Sequence, residues 1–252
     1  ASQGHDEPVV EWGEDSVKVF VRFQDDVCTL SVDCTGEPLY RRGYKIDINE
    51  APLRETLAAS LLLESDLSAY DVLVDPMCGS GTIPVEGAMF AGGILPGFLR
   101  TYAFKRFPFF PEARCRFVLK SITDECPKRG IRVFASDIDE RSLDACRWNA
   151  GRAKAEITIE RKDFFSAKRA DYPEGKLLIA MNPPYGERLG PRSNVGGFFA
   201  ALGGKLRKDF AGCGFAVIVP GEDAERAFGI RWDRKIVFSN GGLKVALLIG
   251  KA

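Results

Sequence analysis

The sequence predicts an α/β protein built on a seven-stranded, mostly parallel sheet, with helices on both faces and an antiparallel hairpin at its C-terminal end. Three observations carry that prediction. From Tyr70 onward, short apolar runs alternate with helical stretches, the mark of a parallel sheet wrapped by helices. Glycines and acidic residues gather where those runs end, the edge at which open α/β sheets bind ligands. Near the C-terminus, Lys235-Ile236-Val237-Phe238 and residues 243–248 flank Ser239-Asn240-Gly241-Gly242, which has hairpin turn chemistry.

Taken in order, residues 17–23 and 28–32 each alternate in polarity around Asp25-Asp26 and read as a hairpin. Two strands are too few for a domain. Residues 1–44 therefore read as a hairpin with a polar linker, the tail of a larger N-terminal region, and residues 45–252 as the main domain. A helix is expected over 52–64, then a buried strand at Asp71-Val72-Leu73-Val74 and a helix from near Ile83. Further strands are expected at 131–135, 156–160, 176–180 and 215–219, with a helix through Ser142, Leu143, Cys146 and Ala150.

Between the first helix of the sheet and the second strand lies an insertion, residues 92–129, far longer than an ordinary connection. In it Arg100, Lys105, Arg106, Arg114 and Arg116 alternate with Tyr102, Phe104, Phe107, Phe109, Phe110 and Phe117. Such interleaving can stack bases and track a phosphate backbone. The preferred reading is plainer: a helical cap whose phenylalanines pack on the sheet and whose arginines face water.

Composition excludes several chemistries. The only histidine, His5, sits in a polar leader, which argues against histidine triads and histidine-rich metal sites, so no metal is expected. Seven scattered cysteines form no zinc-type spacing and read as reduced thiols of a cytoplasmic protein. No apolar stretch is long enough for a membrane span. The 35 basic and 35 acidic residues cancel, so if the substrate is RNA, much of the grip on it is expected to come from another domain.

Four groups at strand ends carry the candidate chemistry. Asp75-Pro76-Met77-Cys78-Gly79-Ser80-Gly81-Thr82 joins the first strand of the sheet to its helix, and its glycines let backbone approach a ligand closely. A dinucleotide fingerprint would need glycine where Pro84 stands, and a P-loop would need a lysine. Asp75 would repel a pyrophosphate and suits a ligand bearing an ammonium group. Asp137 could accept both hydrogen bonds of a ribose diol, and Asp163 with Phe164 could meet an adenine amino group and cover its face. Asp139 reads instead as a helix cap. Asn182-Pro183-Pro184-Tyr185 is the most specific signal: the Asn182 side-chain oxygen and the Pro183 carbonyl make two acceptors facing one cavity, and Tyr185 offers a ring on which an extruded base could stack. Two acceptors aimed at the two hydrogens of an aromatic amine favour its pyramidalisation, which turns a poor nucleophile toward an incoming methyl group.

In sequence order, Asp75 to Thr82, Ser136-Asp137-Ile138-Asp139, Lys162-Asp163-Phe164 and Asn182 to Tyr185 resemble the motifs of class I amino-methyltransferases, whose cofactor is S-adenosyl-L-methionine. Together with Gly36 to Tyr44, Ala51-Pro52-Leu53-Arg54-Glu55, Gly186-Glu187-Arg188-Leu189 and Asn240-Gly241-Gly242-Leu243, they resemble the bacterial RlmL (YcbY-like) rRNA guanine-N2 methyltransferases. The resemblance implies a Rossmann-like fold, direct methylation of a guanine N2 amino group in 23S rRNA, and an RNA-binding THUMP module ahead of residue 45. It implies methionine near Asp75, Met77 and Gly79, with Pro52, Leu53, Cys78, Ser80, Gly81 and Thr82 around the cofactor. Ribose would rest on Asp137, adenine between Ile138, Asp163 and Phe164, and the target base on Asn182, Pro183, Pro184 and Tyr185, with Asn182 also bordering the cofactor. Rival acceptors are adenine N6 and a protein glutamine amide; a rival of another class is a non-catalytic RNA-binding or assembly factor.

Overall fold

Runs such as Val72-Leu73-Val74 and Leu177 to Met181 have no polar break, so a strand made from them must be covered on both faces. The computed structural model describes residues 17–45, 53–185 and 194–252 and meets that demand with two helical layers. Strands β1 (Val19–Gln24) and β2 (Val27–Val32) form a separate antiparallel pair. The main sheet contains β3 (Val72–Asp75), β4 (Arg132–Asp137), β5 (Thr158–Arg161), β6 (Leu177–Met181), β7 (Gly214–Pro220), β8 (Arg234–Asn240) and β9 (Leu243–Lys251). Its order is β5-β4-β3-β6-β7-β9-β8; the first five strands run parallel and β9 is antiparallel to both β7 and β8.

One face is covered by α1 (Glu55–Glu64), α2 (Thr82–Gly92) and α4 (Glu140–Ala153), through Leu61, Leu62, Ile83, Ala88 and Leu143. The other is covered by α5 (Val195–Asp209) and α6 (Gly221–Phe228), through Phe199, Leu202, Leu206 and Phe228. Chain order reverses between β3 and β6, which opens a crevice beyond their carboxyl ends.

The sequence pattern does not announce α5 and α6. Glycines at 196, 197, 203 and 204 weaken the helical signal of α5. Gly203 has a packing reason, because a Cβ there would collide with the carbonyl oxygen of Phe228 on α6. The helix expected over 52–64 begins at Glu55, whose buried carboxylate lies 3.7 Å from Lys45 Nζ.

The insertion corrects the expected cap. Its helix α3 (Glu112–Glu125) buries no residue, and none of its aromatic side chains joins a core cluster. Tyr102, Phe104, Phe107, Phe109 and Phe110 pack on one another instead of on the sheet. Arg100 does not face water either. It is 9% exposed and donates to the carbonyl oxygens of Glu37, Pro38 and Arg41, pinning the linker that follows the hairpin.

Candidate functional site

Because β5, β4, β3 and β6 are neighbours, Asp163, Asp137, Asp75 and Asn182 stand in one row along the carboxyl edge of the sheet. At ordinary strand spacing the row spans roughly 15 Å. Its centre is tied together by backbone donors. Gly79 N donates to Asp137 Oδ2 at 2.9 Å, Asp139 N donates to Asp137 Oδ1 at 3.1 Å, and Met77 N donates to Asp75 Oδ1 at 3.2 Å. The Asp139 carboxylate accepts from Arg141 N and Ser142 N, so it caps α4 as its position predicts.

The two glycines of the loop differ in purpose. Gly79, at φ +52°, would carry a Cβ that meets nothing within 4 Å, so its backbone borders open space. A Cβ at Gly81 would strike Cys146 Sγ on α4, so this glycine serves close packing of the loop on the helix. Asn149 of α4, which no sequence pattern singles out, donates to the Ser80 carbonyl at 2.9 Å. Thr82 and Cys78 are buried, and Met77 and Ser80 are half-buried at the rim.

Asp75 is 1% exposed, and burial pushes its carboxyl well above the usual range, with the charge of Asp137 adding to the effect and the Met77 N–H opposing it. A cationic group delivered to this edge would restore the ionised form. The Cys78 thiol is pushed up by its hydrogen bond with Cys146 and by burial, so it is not a thiolate nucleophile.

At the β5 end, Asp163 is exposed and accepts from Phe165 N at 2.9 Å. Phe164 departs from its expected role: it is 2% exposed, stacked on Phe210 at 5.7 Å between centroids and part of the core. Phe165, 40% exposed, is the accessible ring, and buried Lys205 of α5 holds its carbonyl at 2.8 Å. Sequence reasoning missed both Phe165 and Lys205; adjacency alone does not tell which of two phenylalanines turns inward. Ile138 is exposed at the mouth beside Asp137.

Beyond β6, Asn182 Oδ1 is buried and has no hydrogen-bond partner among the described residues. An acceptor withheld from water without a donor is unfavourable by about 1–3 kcal/mol, and it fits a donor brought by a ligand. Pro183 is buried and Pro184 half-buried. Tyr185 is 8% exposed, packed in the core cluster that contains Leu53 and Ile83 rather than presented as an open face, and its hydroxyl accepts from Asn240 Nδ2. Pro52 and residues 186–189 lie outside the described residues. Among the described residues no group of three histidine, cysteine or acidic side chains is placed to hold a metal ion, and no helix is long and apolar enough to cross a membrane.

The sheet order and the glycine loop define a class I methyltransferase domain. Solved structures agree: a putative methyltransferase complexed with SAH is 30% identical with a TM-score of 0.79, the match covering 94% of this chain and 62% of that one. A possible methylase from Clostridium difficile 630 is 33% identical with a TM-score of 0.83, covering 98% of this chain and 65% of that one. A predicted N6-adenine-specific DNA methylase from Listeria monocytogenes is 27% identical with a TM-score of 0.73, covering 93% and 60%. Residues 42–247 match the family described as RMKL-like, methyltransferase domain, and the chain belongs to that family. Relatives named ribosomal RNA large subunit methyltransferase K/L are 32% identical over 249 residues in Vibrio parahaemolyticus and 35% identical over 234 residues in Vibrio cholerae. Those matches cover 96% and 89% of this chain, which spans about a third of the length of either relative.

Proposed function

We propose that this chain is a catalytic domain that methylates the exocyclic N2 amino group of a guanine in large-subunit rRNA, using S-adenosyl-L-methionine. The observation that carries the proposal is the buried, unpartnered Asn182 Oδ1 at the end of β6. The names of the curated relatives support rRNA as substrate, and the SAH-complexed relative supports the cofactor.

The cofactor, when bound, supplies an electrophilic methyl group on a sulfonium. Asp75 would meet its ammonium group, Asp137 would accept from the ribose hydroxyls, and Ile138 with the Asp163–Phe165 turn would border the adenine. Asn182 Oδ1 and the Pro183 carbonyl accept from the two hydrogens of the target amine and aim its lone pair. The part played by these residues would then be positioning and charge placement. The chain needs no nucleophile of its own, which agrees with a protonated Cys78.

The hairpin belongs, in this reading, to an RNA-binding module of the longer protein. Its supporting feature is an amphipathic register: Val19 opposite Val32, Val21 opposite Leu30 and Phe23 opposite Cys28 put six exposed apolar side chains on one face. A second reading, adenine N6 as the acceptor, is favoured by the description of the Listeria relative. Mass spectrometry of large-subunit rRNA from cells lacking the protein separates the two. Loss of one N2-methylguanine supports the guanine reading; loss of N6-methyladenine overturns it.

A further inference from the structure

The insertion, residues 92–129, holds eight basic and three acidic side chains, while the rest of the chain holds 27 basic and 32 acidic. A chain that is neutral overall thus concentrates positive charge in a segment whose aromatic rings the core does not use. Phe104, Phe107 and Phe110, with Val118 and Leu119 of α3, line an apolar hollow of about 490 Å³. An adjoining hollow of about 340 Å³ shares Phe110 and Leu119 and adds Lys105 and Arg116. Phe109 is 81% exposed and Phe117 74%.

Rings beside cations match single-stranded nucleic acid, because every base offers a face to stack and every nucleotide a phosphate. A duplex keeps its bases stacked inward and offers only the charge. A second copy of this chain would oppose the same positive surface to itself. A purely apolar protein segment would fill the hollow and leave Lys105 and Arg114 without an anionic complement, whereas Arg116 is already paired with Glu112 at 2.9 Å.

We propose that the insertion is a platform for single-stranded RNA, with bases on Phe109 and Phe117 and in the Phe104, Phe107 and Phe110 hollow, and phosphates on Lys105 and Arg114. The choice of RNA over DNA rests on the functional reading above. The platform leaves the end of α2 and returns at the start of β4, on the edge of the sheet away from Asp75 and Asn182. It therefore grips the strand at a distance from the reacting base and acts on substrate affinity rather than on the chemical step.

The test uses full-length protein and a short, unstructured, end-labelled RNA followed by fluorescence anisotropy. Two double variants are compared with wild type: Phe109→Ala with Phe117→Ala, and Lys105→Glu with Arg114→Glu. All four side chains are exposed, so melting temperature and affinity for S-adenosylhomocysteine should not change. The aromatic pair should weaken RNA binding roughly tenfold. The charge reversal should weaken it at least as much and flatten its salt dependence. On rRNA both should raise KM and leave kcat unchanged. Wild-type RNA affinity in both variants overturns the proposal, as does equal binding of a duplex of the same sequence, or capture of an acidic protein with no change in RNA affinity. If wild type binds the strand through these residues yet transfers no methyl group to rRNA, the functional reading fails and the platform stands. If rRNA is methylated and both variants match wild type in affinity and KM, the platform fails and the functional reading stands.

Discussion

Asn240 Nδ2 donates to the Tyr185 hydroxyl at 2.8 Å, joining the tip of the β8–β9 hairpin to the Asn-Pro-Pro-Tyr loop across 55 positions of sequence. Tyr185→Phe and Asn240→Ala should each lower unfolding free energy by about 1 kcal/mol, and the double variant should lose less than the sum by a similar amount. Urea denaturation of the four proteins measures that coupling; strictly additive losses would mean that the two groups do not interact. Methyl transfer by Tyr185→Phe should fall only severalfold, since the buried ring still packs in the core and only its hydrogen bond to Asn240 is lost.

Asn182→Ala separates stability from chemistry. Removing a buried acceptor that has no donor relieves a desolvation penalty, so the ligand-free variant should be at least as stable as wild type in a thermal melt. Methyl transfer in a single-turnover assay should drop by about two to three orders of magnitude, the equivalent of roughly 3–4 kcal/mol at the transition state. Calorimetric affinity for S-adenosylhomocysteine should persist. Near-normal transfer would sink the proposed mechanism.

Asp75 should make the ligand-free protein sensitive to pH. Its folded-state pKa is raised by burial first and by Asp137 second, so its contribution to stability is fully present below the ordinary carboxylate value of 3.8 and is lost as pH rises through the raised value. Asp75→Asn should therefore be more stable than wild type at neutral pH, with the gap closing on acidification. Affinity for S-adenosylmethionine should show the opposite trend, tightening in wild type as Asp75 ionises and staying flat in the variant. Parallel melting curves of the two proteins at every pH would contradict this assignment.

Asp137 carries structural as well as proposed binding work, since Gly79 N and Asp139 N both donate to it. Asp137→Ala should weaken cofactor binding by about 1–3 kcal/mol. Asp137→Asn keeps an acceptor for Gly79 N and should lose less. Equal calorimetric affinity for wild type and Asp137→Ala would remove Asp137 from the cofactor site.

The sheet was legible because Val72-Leu73-Val74 and its counterparts are apolar runs bounded by turn residues, a signal that depends only on local sequence. The row of Asp163, Asp137, Asp75 and Asn182 was legible for the same reason, each residue following its own strand. What the sequence hid depends on tertiary partners. Whether Phe164 or Phe165 turns inward is decided by Phe210, the cap of a helix that its own glycines obscure. The purpose of Gly81 is decided by Cys146, and the burial of Tyr185 by its packing with Leu53 and Ile83. In the insertion, aromatic residues read as core material because composition carries no record of which surface they meet.

Arg100 gives the linker a different mechanical character from that of a tether. A free run of chain delivers whatever it carries by diffusion, at an effective concentration set by its length. Three carbonyl oxygens held by one buried guanidinium replace that statistical cloud with a fixed bracket, at an entropic cost on the order of 1–2 kcal/mol for each residue held. The span between the hairpin and Asn182 then becomes a constant of the architecture, a ruler rather than a leash.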